Sequence, residues 1–408
     1  MRSPSTRWRR SWSRTGTRCW SVTSGDRRAR EGPGCLLGLA AGDALGAPAE
    51  NLTPQEIRRR WGRLTEIEGG GTDDTEYAIF AASLLVRHGH GLTPADVAAA
   101  YRSEIIPRVT GPMRGAGFSE LGTIEALRRG LEPPLTGLTH SHGWSDGLAM
   151  RAAPYGIFCP GDPAEAARLV EQDGLVSGSG EGILGGRAVA GAVAAAMGGA
   201  SPREVVLAAL SVIPADSWTA RNVIRACEAL GWSPATTASS GPAPSGGARS
   251  GAEAASGGPR SGATLGAVPS GAGAAGGGSV ESGATRAVSG PVVGGSVQEA
   301  EVVEALHRAV VVKHYPWTDV APEAVALAMA AFLAGDGDVE AAVTFGVSLG
   351  RDADTIGAIA GAIAGASQGE RGVPERWAAR IGPVTGKCLP VVAGRHVLDV
   401  ADELAEGL

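Results

Sequence analysis

Two stretches of the chain set paired carboxylates beside threonine hydroxyls: Thr72-Asp73-Asp74-Thr75 and Asp352-Ala353-Asp354-Thr355. Each stands just ahead of an apolar run with helical spacing, so each belongs at a helix N-terminus. Carboxylate and hydroxyl oxygens are hard ligands that suit Mg²⁺, Mn²⁺ or Ca²⁺ and suit zinc poorly. The competing account is capping, because Asp and Thr favour the first turn and contribute about 0.3–1 kcal/mol each there. Capping accounts for one acid per helix. Two close acids at two helix starts repel each other unless a cation neutralises them, which favours a metal site. A third acidic segment, Gly42 to Glu50, supplies Asp43 and, seven residues later, Glu50.

The elements that must position these groups are helical. After the first cluster, Tyr77, Phe80, Ala81, Leu84 and Leu85 follow the i, i+3, i+4, i+7, i+8 stripe of a buried helix face. Further helices are expected over 94–106, 162–171, 186–197, 202–213, 217–230, 298–311, 322–334, 338–347 and 354–366. Several carry Pro in the first turn, where its missing N–H costs nothing. Alternating β-branched runs are absent, so the expected fold class is all-α. Gly357, Gly361 and Gly365 recur every four residues and give one helix a smooth face that another backbone can approach.

Composition divides the chain. Residues 1–31 hold nine Arg and three Trp without a helical or strand period, and are expected to form a disordered basic tail. Residues 234–297 are Gly, Ala, Ser and Pro with five charges, too few apolar groups to offset ordering entropy, and are expected to form a disordered insertion. The remaining 34–233 and 298–408 are expected to make one domain. A net charge of −6 gives no pull toward nucleic acid, and no apolar run reaches the roughly 20 residues that span a bilayer. The five cysteines form no CxxC pair, which argues against a zinc ribbon or a disulfide framework. A cytoplasmic protein, acting as a monomer without membrane or nucleic-acid partners, is the expectation.

The three acidic segments, in this order and separation, resemble those of the ADP-ribosylglycohydrolase family, which includes the dinitrogenase-reductase-activating glycohydrolases. Ser145-Asp146-Gly147-Leu148-Ala149-Met150-Arg151 and Gly180-Glu181-Gly182-Ile183 also resemble family segments. The resemblance covers most of 34–233 and 298–408. It implies a compact all-α fold around two Mg²⁺ ions, Mn²⁺ being an alternative. Thr72, Asp73 and Asp74 would form one ligand set and Asp352, Asp354 and Thr355 the other. It further implies that Glu50, Asp74 and Asp354 carry catalysis, with Glu50 as ligand or acid–base group near the ribose. The implied reaction is hydrolysis of the ribosyl C1″ bond, releasing ADP-ribose from a modified protein side chain. Cleavage of a small ribosylated metabolite and silent ADP-ribose binding are the alternatives.

A diphosphate needs hydrogen-bond donors, and two Gly-rich loops are expected to offer backbone N–H groups: Gly143, Trp144, Ser145, Asp146 and Gly147, and Ser177, Gly178 and Ser179. Gly178 departs from the His that many relatives carry. His140 and His142 lack a third ligand at a supporting spacing and are read as loop residues, and no GxSxG sequence signals a serine nucleophile. Trp144, Trp218 and Trp317 could stack on adenine, with core or rim packing the plainer expectation.

Overall fold

The computed structural model describes residues 24–109, 117–234 and 297–406. These form helices and turns without a named strand, and one isolated antiparallel bridge joins Ser145 to Val320. The all-α expectation holds. Helices appear where the stripes place them, within a few residues: Asp73–His88, Pro163–Ser177, Glu181–Met197, Pro202–Ser211, Trp218–Ala229, Val297–Val310, Ala321–Ala334, Val339–Ser348 and Ala353–Gln368. The helix expected over 94–106 is α-helical only across Pro94–Ala100 and continues as a π turn, Tyr101–Ile105. Ser24–Gly46, Pro54–Trp61, Phe118–Arg128 and Val397–Glu406 are helices that no stripe announced.

Ala321–Ala334 and Ala353–Gln368 are buried on nearly every side, as helices apolar all round must be. Ala353–Gln368 lies against Ser24–Gly46 along a seam of glycines. A Cβ on Gly38 would fall 2.1 Å from the Gly361 carbonyl oxygen, and one on Gly361 would fall 2.1 Å from that of Gly38. Gly42 meets Gly357 at 2.1 Å and Gly365 meets Gly34 at 2.0 Å in the same sense, so the two helices run antiparallel. Beyond the last pair, a Cβ on Gly46 would lie 2.4 Å from the Asp354 Cα. The two backbones touch. The smooth face read from Gly357, Gly361 and Gly365 therefore has a matching face on the first helix.

That first helix begins at Ser24 and runs through Pro33, inside the segment expected as a tail. The Arg27 guanidinium donates to the carbonyl oxygens of Met197 and Gly198, the free acceptors at the end of Glu181–Met197. An arginine-rich stretch can dock this way without any apolar period, and the domain starts earlier than position 34. Residues 1–23 of the expected tail, and the expected insertion apart from its two ends, lie outside the described residues.

Gly38→Ala should destabilise the fold by about 1–3 kcal/mol, because the added methyl meets backbone that no rotamer change can move. Gly69→Ala is the control, since a Cβ there meets nothing within 4 Å, and it should stay within about 0.5 kcal/mol of the parent. Denaturant melts of both variants decide this; equal losses would mean that the seam tolerates a side chain.

Candidate metal centre and active site

The seam delivers Asp43, on the first helix, to the N-terminus of Ala353–Gln368. Asp73–His88 brings its own N-terminus to the same point. One carboxylate oxygen from each of Asp43, Asp74 and Asp354 lies within 4.8 Å of the others, and all three residues are buried. Asp43 organises the junction. It accepts from the Thr72 N–H (2.8 Å), the Thr72 hydroxyl (2.8 Å) and the Thr75 N–H (3.1 Å), as well as from the Thr75 hydroxyl. Thr72 Oγ1 is thereby left 3.3 Å from Asp74 Oδ2 and 3.4 Å from Asp354 Oδ2.

Capping does not explain this arrangement. Thr53, Thr93, Asp162, Ser217 and Asp338 each accept a backbone N–H at the start of their helices. Thr72 and Asp352 occupy the same position and make no such bond. Asp74 Oδ1, Asp354 Oδ1 and Asp146 Oδ2 are buried without a hydrogen-bond partner, a costly state for carboxylate oxygens. Burial raises the Asp354 carboxyl to about 7, with the like charges of Glu50 and Asp43 adding to it. Asp73, Asp74, Asp146 and Asp352 are also pushed well above the ordinary carboxylate range, by burial first and neighbouring acids second. A cluster of buried acids that lacks cationic partners, has hard oxygen donors and keeps free lone pairs fits divalent cations. The donor set passes the test.

Other buried groups hold the walls. Arg151, fully buried, donates to the Gly147 carbonyl (2.6 Å) and to Glu120 (2.7 Å), and grips Asp173 with two nitrogens (2.9 and 3.1 Å). The loop above it is tied to a second loop: Asp146 N–H donates to Asp319 O, and Ala321 N–H to Trp144 O, both at 3.0 Å. Glu50 stands at the cleft edge, its Oε1 accepting from the Asn51 amide (3.0 Å). Asn51 is itself held in a left-handed conformation by Thr318 Oγ1 (2.5 Å) and the Arg351 carbonyl (2.8 Å). Desolvation raises the Glu50 carboxyl, and Asp319 and Asp43 push it the same way. Buried Glu76 accepts the N–H groups of Lys387 (3.0 Å), Cys388 (2.9 Å) and Leu389, fastening a C-terminal loop to the cleft.

Glu50, Thr72, Asp73, Asp74, Ser145, Asp146, Gly147, Asp352, Asp354 and Thr355 all line one cleft of about 300 Å³. Trp144 opens instead onto a neighbouring cavity, and Gly143, Ser177, Gly178 and Ser179 line neither. In the second loop the N–H groups of Gly178 and Ser179 are already engaged. Gly178 N–H donates to Gly174 O and Ser179 N–H to Gly143 O, both at 2.8 Å, while Ser177 Oγ accepts from Arg151. Ser145 and Asp146 likewise spend their N–H groups on His142 O and Asp319 O. Close approach accounts for these glycines: a Cβ on Gly182 would sit 2.3 Å from the Gly143 carbonyl oxygen. Sequence reasoning missed the organising role of Asp43, whose signal was a lone acid inside an apolar, Gly-rich helix. It also missed Asp319, Glu120 and Lys387, which carry no pattern of type or spacing.

The family model described as ADP-ribosylglycohydrolase matches residues 24–407. An uncharacterized protein of Archaeoglobus fulgidus is 32% identical over 173 residues, covering 40% of this chain and 53% of that protein. The ADP-ribosyl-(dinitrogen reductase) glycohydrolase of Rhodospirillum rubrum is 32% identical over 142 residues, covering 32% of this chain and 46% of that one. The chain thus spans about half the length of the curated relatives it matches. A solved structure titled ADP-ribosylglycohydrolase-related protein complex superposes with a TM-score of 0.53 at 22% identity, over 93% of this chain and 97% of that one, a likeness of fold. With the family model spanning nearly all of its length, the chain belongs to the ADP-ribosylglycohydrolase family.

Proposed function

We propose that the protein is a divalent-cation-dependent hydrolase that cleaves the ribosyl C1″ bond and releases ADP-ribose from a modified protein side chain. The observation that carries this reading is the meeting of two uncapped helix N-termini whose buried carboxylates keep unpartnered oxygens. Thr72, Asp73 and Asp74 on one side and Asp352, Asp354 and Thr355 on the other are the residues that would hold the cations, Mg²⁺ being the expected ion. Held there, the cations supply Lewis acidity toward the ribose hydroxyls and the attacking water.

The chain's own groups do the rest. Asp43 takes the Thr72 hydroxyl hydrogen, which turns the Oγ1 lone pairs toward Asp74 and Asp354. Glu50 Oε1 is engaged by Asn51, so its Oε2 is the atom free to accept a proton from water and return it to the leaving group. Burial raises the Glu50 carboxyl, the direction that makes it a better proton acceptor. Arg151 fixes the Gly147 carbonyl and with it the loop that places Asp146 against the cleft.

Three outcomes test the reading. Chelation should abolish ADP-ribose release and Mg²⁺ should restore it; unchanged turnover by a chelated, metal-free sample would refute cation dependence. Asp74→Ala or Asp354→Ala should lower the rate on the order of 10²-fold or more while the fold survives, as relief of like-charge crowding offsets the lost contacts. Glu50→Gln should bind ADP-ribose normally and turn over about 10²–10⁴-fold more slowly; parent-level turnover would remove Glu50 from proton transfer.

The metal-free protein should also respond to pH with a definite sign. The Asp354 carboxyl titrates near 3.8 when unfolded and at about 7 in the fold, so the folded state holds the extra proton between those values. Stability is then fully present at the acid end and falls as pH rises from about 4 to about 7. Melting temperatures of the chelated protein should drop across that window, and Mg²⁺ should flatten the slope. A metal-free melting temperature that rises over the same window would contradict the buried, unpaired acids.

A further inference from the structure

Among the described residues that line the cleft, Lys387 is the one cation; every other charged residue there is an acid. The chain has only two lysines, Lys313 and Lys387, so this placement is not a consequence of abundance. The Lys387 backbone is fastened by Glu76, a buried carboxylate that takes three consecutive N–H groups of its loop. Its ammonium, by contrast, is exposed and makes no hydrogen bond or ion pair with a described residue. A loop anchored this firmly holds an unpartnered cation at the wall of an acidic cleft. The fold itself does not use that charge.

The two ends of the cleft differ. One end shares Ser145 and Asp319 with an adjoining cavity of about 320 Å³, walled by Trp144, Trp218, Tyr315 and His142. Flat aromatic walls suit a nucleobase. Lys387 and Cys388 share nothing with that cavity; Glu76, on the helix that begins at Asp73, holds their N–H groups, and burial, with the Asp73 charge adding to it, raises the Cys388 thiol. If the base takes the aromatic end and the ribose takes the acids, the departing acceptor passes Lys387. Of the acids on that side, Glu120 is committed to Arg151 and Ser119, and Asp73 belongs to the cation-binding set. On the Lys387 side of the cleft the uncommitted charge is therefore positive.

We propose that Lys387 is the acceptor-selecting residue, whose ammonium favours a leaving group that is neutral or anionic at the modified atom, such as a hydroxyl-linked side chain, over a cationic guanidinium. This rests on the glycohydrolase reading above and deepens it. Repulsion between two cations a few ångströms apart at a partly exposed site lowers the weaker substrate on the order of tenfold.

The test uses the full-length, Mg²⁺-loaded protein and two peptides of one sequence, carrying ADP-ribose on Ser or on Arg at the same position. The readout is the ratio of kcat/KM for the two, measured on one sample, so losses of folding or metal loading cancel. The parent should favour the Ser-linked peptide. Lys387→Met should reduce that preference about tenfold, Lys387→Glu should reduce it further, and Lys387→Arg should preserve it. A ratio that stays the same across all four proteins, or a parent that favours the Arg-linked peptide, would overturn the assignment while leaving the hydrolase reading intact. Release from neither peptide by the parent would overturn the hydrolase reading and this inference with it.

Discussion

The contact on which the site depends is between two backbones. Gly34, Gly38 and Gly42 of the first helix meet Gly365, Gly361 and Gly357 of Ala353–Gln368 without intervening side chains. Glycine inside a helix costs roughly 0.5–1 kcal/mol relative to alanine, so the six seam glycines weaken both helices when taken alone. Burial of Ala353–Gln368 on all sides supplies what propensity withholds. What the seam gains is position. Antiparallel contact at a fixed four-residue step leaves one register, and in that register Gly46 ends against Asp354 while Asp43 faces it. A side chain at any of these steps would push apart the two helices that carry Asp43 and Asp354.

Buried carboxylates elsewhere in the protein show how unusual the cleft is. Glu76 is satisfied by three backbone N–H groups, Glu323 by Arg351, and Asp173 by Arg151. Half-buried Glu181 likewise takes the Trp218 and Thr219 N–H groups at the start of another helix, at 2.8 and 3.0 Å. Each of these anions is matched, as buried charge must be. Asp74, Asp146 and Asp354 keep an oxygen without a partner, and all three open onto one cleft. The contrast with Glu76, Asp173 and Glu323 leaves those cleft oxygens free for something that binds.

Much of this was legible in the residues. The paired acids and threonines at two helix starts identified the centre, because carboxylate repulsion is a property of residue type and spacing alone. The apolar stripes located most helices for the same reason. Ser24–Gly46 escaped because residues 32–46 are buried on every side, Leu36, Leu37, Leu39 and Leu45 along with the seam glycines, and a helix buried all round shows no one-sided stripe. Asp43 escaped with it: its role is set by Thr72 and Thr75, which are distant in the chain. The glycine loops show the limit from the opposite direction. A run such as Ser177-Gly178-Ser179 looks like a phosphate cradle, yet only the fold shows that its N–H groups are already spent. Local pattern reveals which groups are present, and tertiary contact decides which of them remain free.

The site is assembled from three widely separated parts of the chain, at Asp43, Asp73–Asp74 and Asp352–Thr355. The site is complete only once the first helix has met Ala353–Gln368, so a cation bound there would act on the folded state as a whole. Between these parts, Trp218–Ala229 and Val297–Val310 stand on either side of residues outside the described ones. Those two helices pack against each other, so the chain returns where it left. Closing a loop costs only about 0.6 kcal/mol more for each doubling of its length. The domain can therefore accommodate a long sequence there without moving either helix, and the glycine seam, on two other helices, keeps its register.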